Sequence, residues 1–492
     1  MSFFSRRTGT AAGAAILALL SGLSASAAEG PTLLAEEAAA AVPVTEERRV
    51  IVEGIRGEIA LRPGDVGLLS FESTRGGATK APLPVAIWLD DAGTFRLAPP
   101  EGARELPRVL TVWVPPGMKS ILRVDGSAIG VSGVEGEVEV RGQRDRLDAA
   151  NVGGALTAEI QGGTVNVSRS GGDVAIRGRE LNVTVAGVAG ALSLRVSGGT
   201  ATVSGVGAGI EGDLDNVELK VDEVQGLCRL RLRGGKAELS GLGRDAELSL
   251  SGAPLKLARC KGAISIESDR DVEFRELEAA LRVTLFGGSL RGATNKGSVD
   301  VKSTGAEDVQ LQSISGSVSV EGAGVRTRLS DIGADVSVKT SSGTIEVDNA
   351  TGPLTIEADA GSVQASRVFS EVKVTSRGGD VRLTDLNGAV EVKADGAQVE
   401  VSWASVPTAK DSSIENEGGG VIVRFPQSGG CRVEAGTKYG RIETEGLPRV
   451  VVQDGGAAAQ GLVGRMNRPV LKISANGDVR LIGSEGAEGA PR

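Results

Sequence analysis

Residues 344–406 read in nines as TIEVDNATG, PLTIEADAG, SVQASRVFS, EVKVTSRGG, DVRLTDLNG, AVEVKADGA and QVEVSWASV. In each unit two apolar residues flank one polar residue. Ile345, Leu354, Val363, Val372, Val381, Val390 and Val399 form one column at intervals of nine. Val347, Ile356, Ala365, Val374, Leu383, Val392 and Val401 form a second. Alternation of this kind is the mark of a strand with one buried face. The rest of each unit carries Gly, Asn, Asp and Ser, which accept positive φ or bond back to their own backbone, as turns require.

A nine-residue strand and turn cannot bury its own apolar face, but stacked units make a continuous core. The stack must be parallel, because every unit has the same polarity and the connections are too short for crossover helices. The same beat runs upstream with small slips, through TVNVSRSGG at 164, ALSLRVSGG at 191, KAELSGLGR at 236 and SVDVKSTGA at 298. Gly162-Gly163, Gly198-Gly199 and Gly234-Gly235 recur at intervals of 36. Spacings of 18 and 36 favour coils of two nines, 18 in all, with two strand faces; coils of three nines remain open. The expected fold is therefore all-β: a single-stranded parallel β-helix, or β-solenoid, of strand-turn units of about nine residues.

The ends differ from the middle. Residues 1–28 read as a secretory signal, with Arg6 and Arg7 before the apolar run Ala11 to Leu23 and an Ala25-Ser26-Ala27 cleavage site. Residues 29–44, rich in Ala and Glu, read as an exposed linker or short helix. Residues 45–125 have longer, irregular strands and hold Trp88 and Trp113, so they are expected to cap the solenoid. Regular coils are expected over 126–402, looser rungs over 403–483 and a disordered tail over 484–492.

Composition agrees with this division. Gly, at 72 of 492 residues, is about twice its usual share, which many tight turns demand. The formal net charge is -9 with both signs interspersed, so the basic stripe that nucleic acid needs is missing. No stretch after the signal is long and apolar enough to span a membrane as a helix. Cys228, Cys260 and Cys431 are an odd set, so at most one internal bridge forms; Cys228 and Cys260 are the nearest pair in sequence.

The run VWVPPGMKSILRVDGSAIGVSGVEGEVEV at 112–140, the repeated G-x-V-x-V units, and the closing VIVRFPQSGGCRVEAGTKYGRIETEG at 421–446 and LKISANGDVRLIG at 471–483 carry a resemblance. Over about residues 45 to 483 the chain resembles the bacterial adhesin family of Gly-rich β-solenoid domains. That resemblance implies a β-solenoid, an extracytoplasmic or surface location and an adhesive role. It brings no catalytic signature, so no functional residue carries over.

Motifs with chemistry are few. Gly207-Ala208-Gly209-Ile210-Glu211-Gly212 matches a dinucleotide-binding fingerprint, but DLDNVELKVDEV after it alternates like a strand, where the motif needs a helix. The beat of nine is shared with calcium-binding nonapeptides, yet Gly-Gly is followed by Thr164, Asp173, Thr200, Lys236 and Asp380, not by a column of Asp. A lone site near Asp331 and Asp335 is the most that calcium could find. Glycoside hydrolysis needs two carboxylates across a cleft, and Glu346 with Glu357 or Asp359 is an example of what adjacent coils could offer. Among 63 acidic residues such pairs are inevitable, while Tyr439 is the sole Tyr and Trp numbers three, a poor stock of sugar platforms. A His-based triad is impossible without His, and the Cys spacing fits no zinc site. Asn166-Val167-Ser168 and Asn182-Val183-Thr184 match glycosylation sequons that a bacterial chain seldom uses.

The expectation is thus a non-enzymatic, exported scaffold in the periplasm or at the cell surface, with no catalytic, metal or cofactor residue to name. Its partner is an unknown protein or polysaccharide surface, and end-to-end self-association is a further route to a scaffold. A carbohydrate-active or polysaccharide-binding β-helix is the alternative.

Overall fold

The computed structural model describes residues 31–44, 48–76, 81–103, 105, 107–396, 398–407, 409–426, 429–464 and 468–483. The signal segment and the tail expected at 484–492 lie outside the described residues. Two compact units divide the chain at Ala191 and Leu192. Each is a parallel β-solenoid.

In unit 2 the coil is two nines long, with two strand faces. Ile345 pairs with Val363, Val363 with Val381 and Val381 with Val399 on one face. Leu354, Val372 and Val390 stack on the other. Successive nines therefore lie in opposite sheets and every second nine stacks, which settles the coil at two faces. All of these inward residues are at most 1% exposed, so the core is a double set of aliphatic ladders. Coil length drifts where the nine-residue beat slips: Leu255 pairs with Val272, one short of two nines, and Val299 with Val318, one over.

Each coil turns a corner at one residue in the left-handed region. Glu276, Thr294, Ser313, Asp331, Asn349 and Arg367 have φ between 54° and 59° and occupy equivalent places in consecutive coils. That kink returns the next residue to the interior: Leu277, Ile314 and Ile332 are buried. A second such column runs in unit 1 through Gly126, Arg144, Gly162 and Glu180, and in unit 2 through Gly198, Asn216, Gly234 and Gly252. Gly and non-Gly residues alternate there for most of the way, which is half of the reason why Gly-Gly recurs at 36.

The other half is packing. In unit 1 a Cβ on Gly142 would stand 1.9 Å from Asp145 Oδ2, and one on Gly178 would stand 2.8 Å from Leu181 Cδ1. In the intervening coil the arrangement is reversed, with Ile160 large and Gly163 bare. Neighbouring coils fill the corner from alternate sides, so a structural repeat of 18 carries a sequence repeat of 36.

The first coil of unit 1 is out of order. Arg49–Glu53 pairs in parallel with both Thr94–Ala98 and Lys119–Asp125. Glu58–Pro63 likewise pairs with Val109–Val114 and Ala128–Ser132. Beyond the coil at 94–114 the sheets end in antiparallel strands. Val85–Leu89 joins Thr94–Ala98, and Thr32–Glu37 joins Val85–Leu89. Leu68–Thr74 joins Val109–Val114, and Ala39–Pro43 joins Leu68–Thr74. Thr32–Glu37 and Ala39–Pro43 are thus strands rather than linker or helix. Two sheet edges that would otherwise present unpaired backbone outweigh the weak β preference of Ala and Glu.

Unit 2 closes in the same manner. Val470–Ala475 lies between Ser412–Asn416 and Cys431–Thr437, and Val479–Gly483 lies between Val421–Phe425 and Ile442–Glu445. Ala458–Val463 then runs antiparallel on Cys431–Thr437, and Val450–Gln453 on Ala458–Val463. Among the described residues no helix is long and apolar enough to cross a membrane.

Candidate functional site: a polar groove across consecutive coils

Six parallel strands of unit 2, Val272–Leu277, Ser289–Asn295, Asp308–Ile314, Arg326–Ile332, Ile345–Ala350 and Val363–Val368, make the floor of a groove of about 740 Å³. Strand alternation sends two columns outward. Glu273, Arg291, Gln310, Arg328, Glu346 and Gln364 form one, and Arg275, Ala293, Gln312, Ser330, Asp348 and Ser366 form the other. Inward between them lie Phe274, Gly292, Leu311, Leu329 and Val347, which hold the floor in place.

The carboxylates of the groove are each held by a cation. Glu273 meets Lys256 at 3.2 Å and Glu346 meets Arg328 at 3.0 Å. Asp348 receives Arg367 Nε at 2.9 Å and Ser366 Oγ at 2.7 Å, and its second oxygen meets Arg367 Nη2. The hydrogen bonds from Arg367 hold the Asp348 carboxyl below the usual carboxylate range, although burial works the other way. A general acid would need the opposite shift. Such pairing is common on this surface: Arg229 with Glu247, Arg282 with Asp300 and Lys373 with Glu391 each join one coil to the next. Each exposed pair is worth no more than about 1 kcal/mol.

Sequence-derived candidates separate in the structure. Glu346 and Glu357 sit in successive strands, hence in opposite sheets; Glu357 pairs with Lys339 at 3.3 Å and Asp359 with Arg377 at 3.1 Å. Asp331 accepts from Asn349 Nδ2 at 2.6 Å, and no cluster of three or more Cys, Asp or Glu suited to a metal occurs among the described residues. The turn aspartates cap backbone instead: Asp173 Oδ1 accepts from Ala191 N at 2.8 Å, and Asp380 Oδ1 from Gln398 N at 3.2 Å. Gly207 to Gly212 leads into the strand Gly209–Val224, so no helix N-terminus is there to meet a phosphate. Asn166 Nδ2 donates to Asp148 Oδ1 at 2.7 Å, within a face of neighbouring coils.

All three cysteines are free and buried. Burial pushes the Cys228 thiol up to about 12, with a smaller push from Cys260, and pushes Cys260 and Cys431 up to about 11. Thiols held so far above neutrality are core residues, not nucleophiles.

Arg275, Arg291, Gln310 and Gln312 escaped sequence reading. They lie among coils that run one residue short of two nines or one over, where counting in nines loses register. Following the outward residues coil by coil, with that slip allowed, would have aligned them.

No curated protein and no solved structure matches the chain. A family model described as Toastrack DUF4097 matches residues 332–481, under a third of the 492 residues. The matched stretch lies wholly in unit 2 and includes the out-of-order coil at 470–481. What unit 2 resembles over that stretch is therefore a β-solenoid domain of unknown function.

Proposed function

We propose that the protein is a non-enzymatic scaffold, exported to the periplasm or the cell surface, that takes part in adhesion or envelope structure by presenting the groove of unit 2 to an extended polar polymer. One observation carries this reading. The groove aligns polar side chains in two in-register columns over six coils about 4.8 Å apart, which suits a partner that is itself extended. Gln, Ser and Arg side chains on a rigid floor make many modest contacts at low ordering cost. The salt-bridged carboxylates, with Asp348 held ionised, favour binding over glycoside hydrolysis.

End-to-end self-association finds less support, because antiparallel strands overlie the outer coil of unit 1 and the outer coil of unit 2. The test is removal of the protein from its cell, followed by measurement of adhesion and envelope integrity. Loss in either supports a scaffold, and unchanged behaviour in both counts against it. Release of oligosaccharides from a polysaccharide panel by the purified protein would replace the scaffold with an enzyme.

A further inference from the structure

We infer that the groove selects a carboxylated polysaccharide, gripped by Arg275 and Arg291; this rests on the reading of the groove as a polymer-binding face. The groove's carboxylates each have a cation, and Arg328 is taken up by Glu346. Among the described residues Arg275 and Arg291 have no ion pair, so two guanidinium groups are left to meet a ligand, with Glu307 and Asp308 beside Arg291 at the edge of the groove.

Their placement suits a chain ligand. Arg291 stands in register with Glu273 and Arg275 with Ala293, so the two arginines are on neighbouring coils, diagonal to one another and about 7–8 Å apart at the backbone. Ala293 contributes only a methyl between Arg275 and Gln312, whose strands are two coils, or about 10 Å, apart. A sugar carboxylate can enter there and receive a forked pair of N–H bonds from a guanidinium, a geometry that the group matches better than an ammonium does. Gln312 and Ser330 continue the Arg275 column with groups that bond to hydroxyls, while Gln310 Nε2 donates to Asp308.

The unpaired cations are local, which selects among polyanions. A nucleic acid would carry a phosphate at every nucleotide past Glu346 and Asp348, against a chain of net charge -9. An acidic glycan has a carboxylate on some or all of its residues and hydroxyls throughout, which matches two arginines followed by an amide and a hydroxyl.

The experiment uses the whole chain after removal of residues 1–28, titrated with polygalacturonate and separately with its fully methyl-esterified form, which keeps the backbone and loses the charge. Binding is expected to polygalacturonate, to weaken at least tenfold on esterification, and to fall with added salt. Arg275→Gln and Arg291→Gln are expected to weaken it by about tenfold each, since a hydrogen bond to a charged group contributes roughly 1.5–3 kcal/mol. Unchanged circular dichroism shows that the variants fold. Equal binding of both polymers, no binding of either, or full binding by the double variant overturns the inference. Binding accompanied by shortening of the polymer leaves the arginine inference standing and sinks the scaffold reading. Loss of the inference with adhesion still dependent on the protein leaves the scaffold reading standing.

Discussion

Gly292 lies opposite Phe274 across one step of the ladder, and a Cβ on Gly292 would stand 2.0 Å from Phe274 Cζ and 2.2 Å from Cε1. Phe274, 1% exposed, fills the volume of two coils, and the missing side chain at 292 makes that possible. Gly292→Ala should cost about 1–3 kcal/mol through overpacking. Phe274→Leu alone should cost about 1–2 kcal/mol through the void it leaves. Combined, the two changes should cost at least about 1 kcal/mol less than their sum, because each relieves the other. Urea unfolding of the four proteins checks this, and strict additivity would show that the two residues do not share one space.

Asp145 should make unit 1 less stable as pH rises. Its side chain is 1% exposed; Oδ1 accepts from Ser127 N at 2.7 Å while Oδ2 has no partner. Burial above all, helped by the charge of Asp125 and opposed by the bond from Ser127 and by Arg144, raises its carboxyl above the usual range. The folded state therefore favours the protonated acid. Its contribution is fully present below the unfolded pKa, near 3.9, and is lost as pH climbs through the higher folded value. Relative to Asp145→Asn, the natural chain should lose stability as pH rises from the unfolded pKa through the raised folded one. Asp145→Leu, which copies the pairing of Gly178 with Leu181, should remove the dependence. Parallel stability curves for the natural chain and Asp145→Asn would contradict the assignment.

What the sequence could and could not disclose follows from the range of the interactions involved. The solenoid was legible because its cause is local and repeated: an apolar-polar-apolar strand and a turn, seven times in succession from Thr344. Which nines stack was half legible, since 18 and 27 both accommodate the beat and only the pairing of Ile345 with Val363 decides. The order of coils was not legible at all. Nothing near Arg49–Glu53 tells that its neighbours are the distant Thr94–Ala98 and Lys119–Asp125, because parallel pairing leaves no mark on turns of this kind. Thr32–Glu37 was misread for a related reason: its strand is imposed by the edge of Val85–Leu89, not by its own residues. The groove was hidden by its own irregular coils, and the lack of an ion pair at Arg275 and Arg291 appears only once the coils are aligned.

Two positions, one buried and one exposed, should be improvable. Thr327 is fully buried between Val309 and Ile345 with no partner for Oγ1. Thr327→Val keeps the shape and removes the unpaired hydroxyl, for a gain of about 1 kcal/mol. Thr294 is β-branched yet has φ 58°, in a column where Asp331 and Asn349 have residues suited to that region. Thr294→Asn should gain about 0.5–1 kcal/mol by relieving it. A lower thermal midpoint in either variant would refute the corresponding account.

The coil at 470–483 should act as the keystone of its end of unit 2. It is paired on both sides, and its turns are tied in as well: Val470 N donates to Asp411 Oδ1 at 2.8 Å, Thr437 Oγ1 to Gly477 O at 2.7 Å, and Arg441 N to Asp478 Oδ1 at 2.8 Å. A chain ending at residue 469 leaves Ser412–Asn416 without its outer neighbour and Cys431–Thr437 without its inner one. The strands at 431–463 then retain only one another, a small antiparallel set without a second sheet to bury against, and such sets are marginal in water. Hydrogen exchange should accordingly show lost protection across 431–463, a smaller loss at 412–425, and native protection in the ladders at 336–386. Protected amides in Cys431–Thr437 after this truncation would mean that the outer strands stand without the inserted coil, and that its position between them is incidental to the closure of the fold.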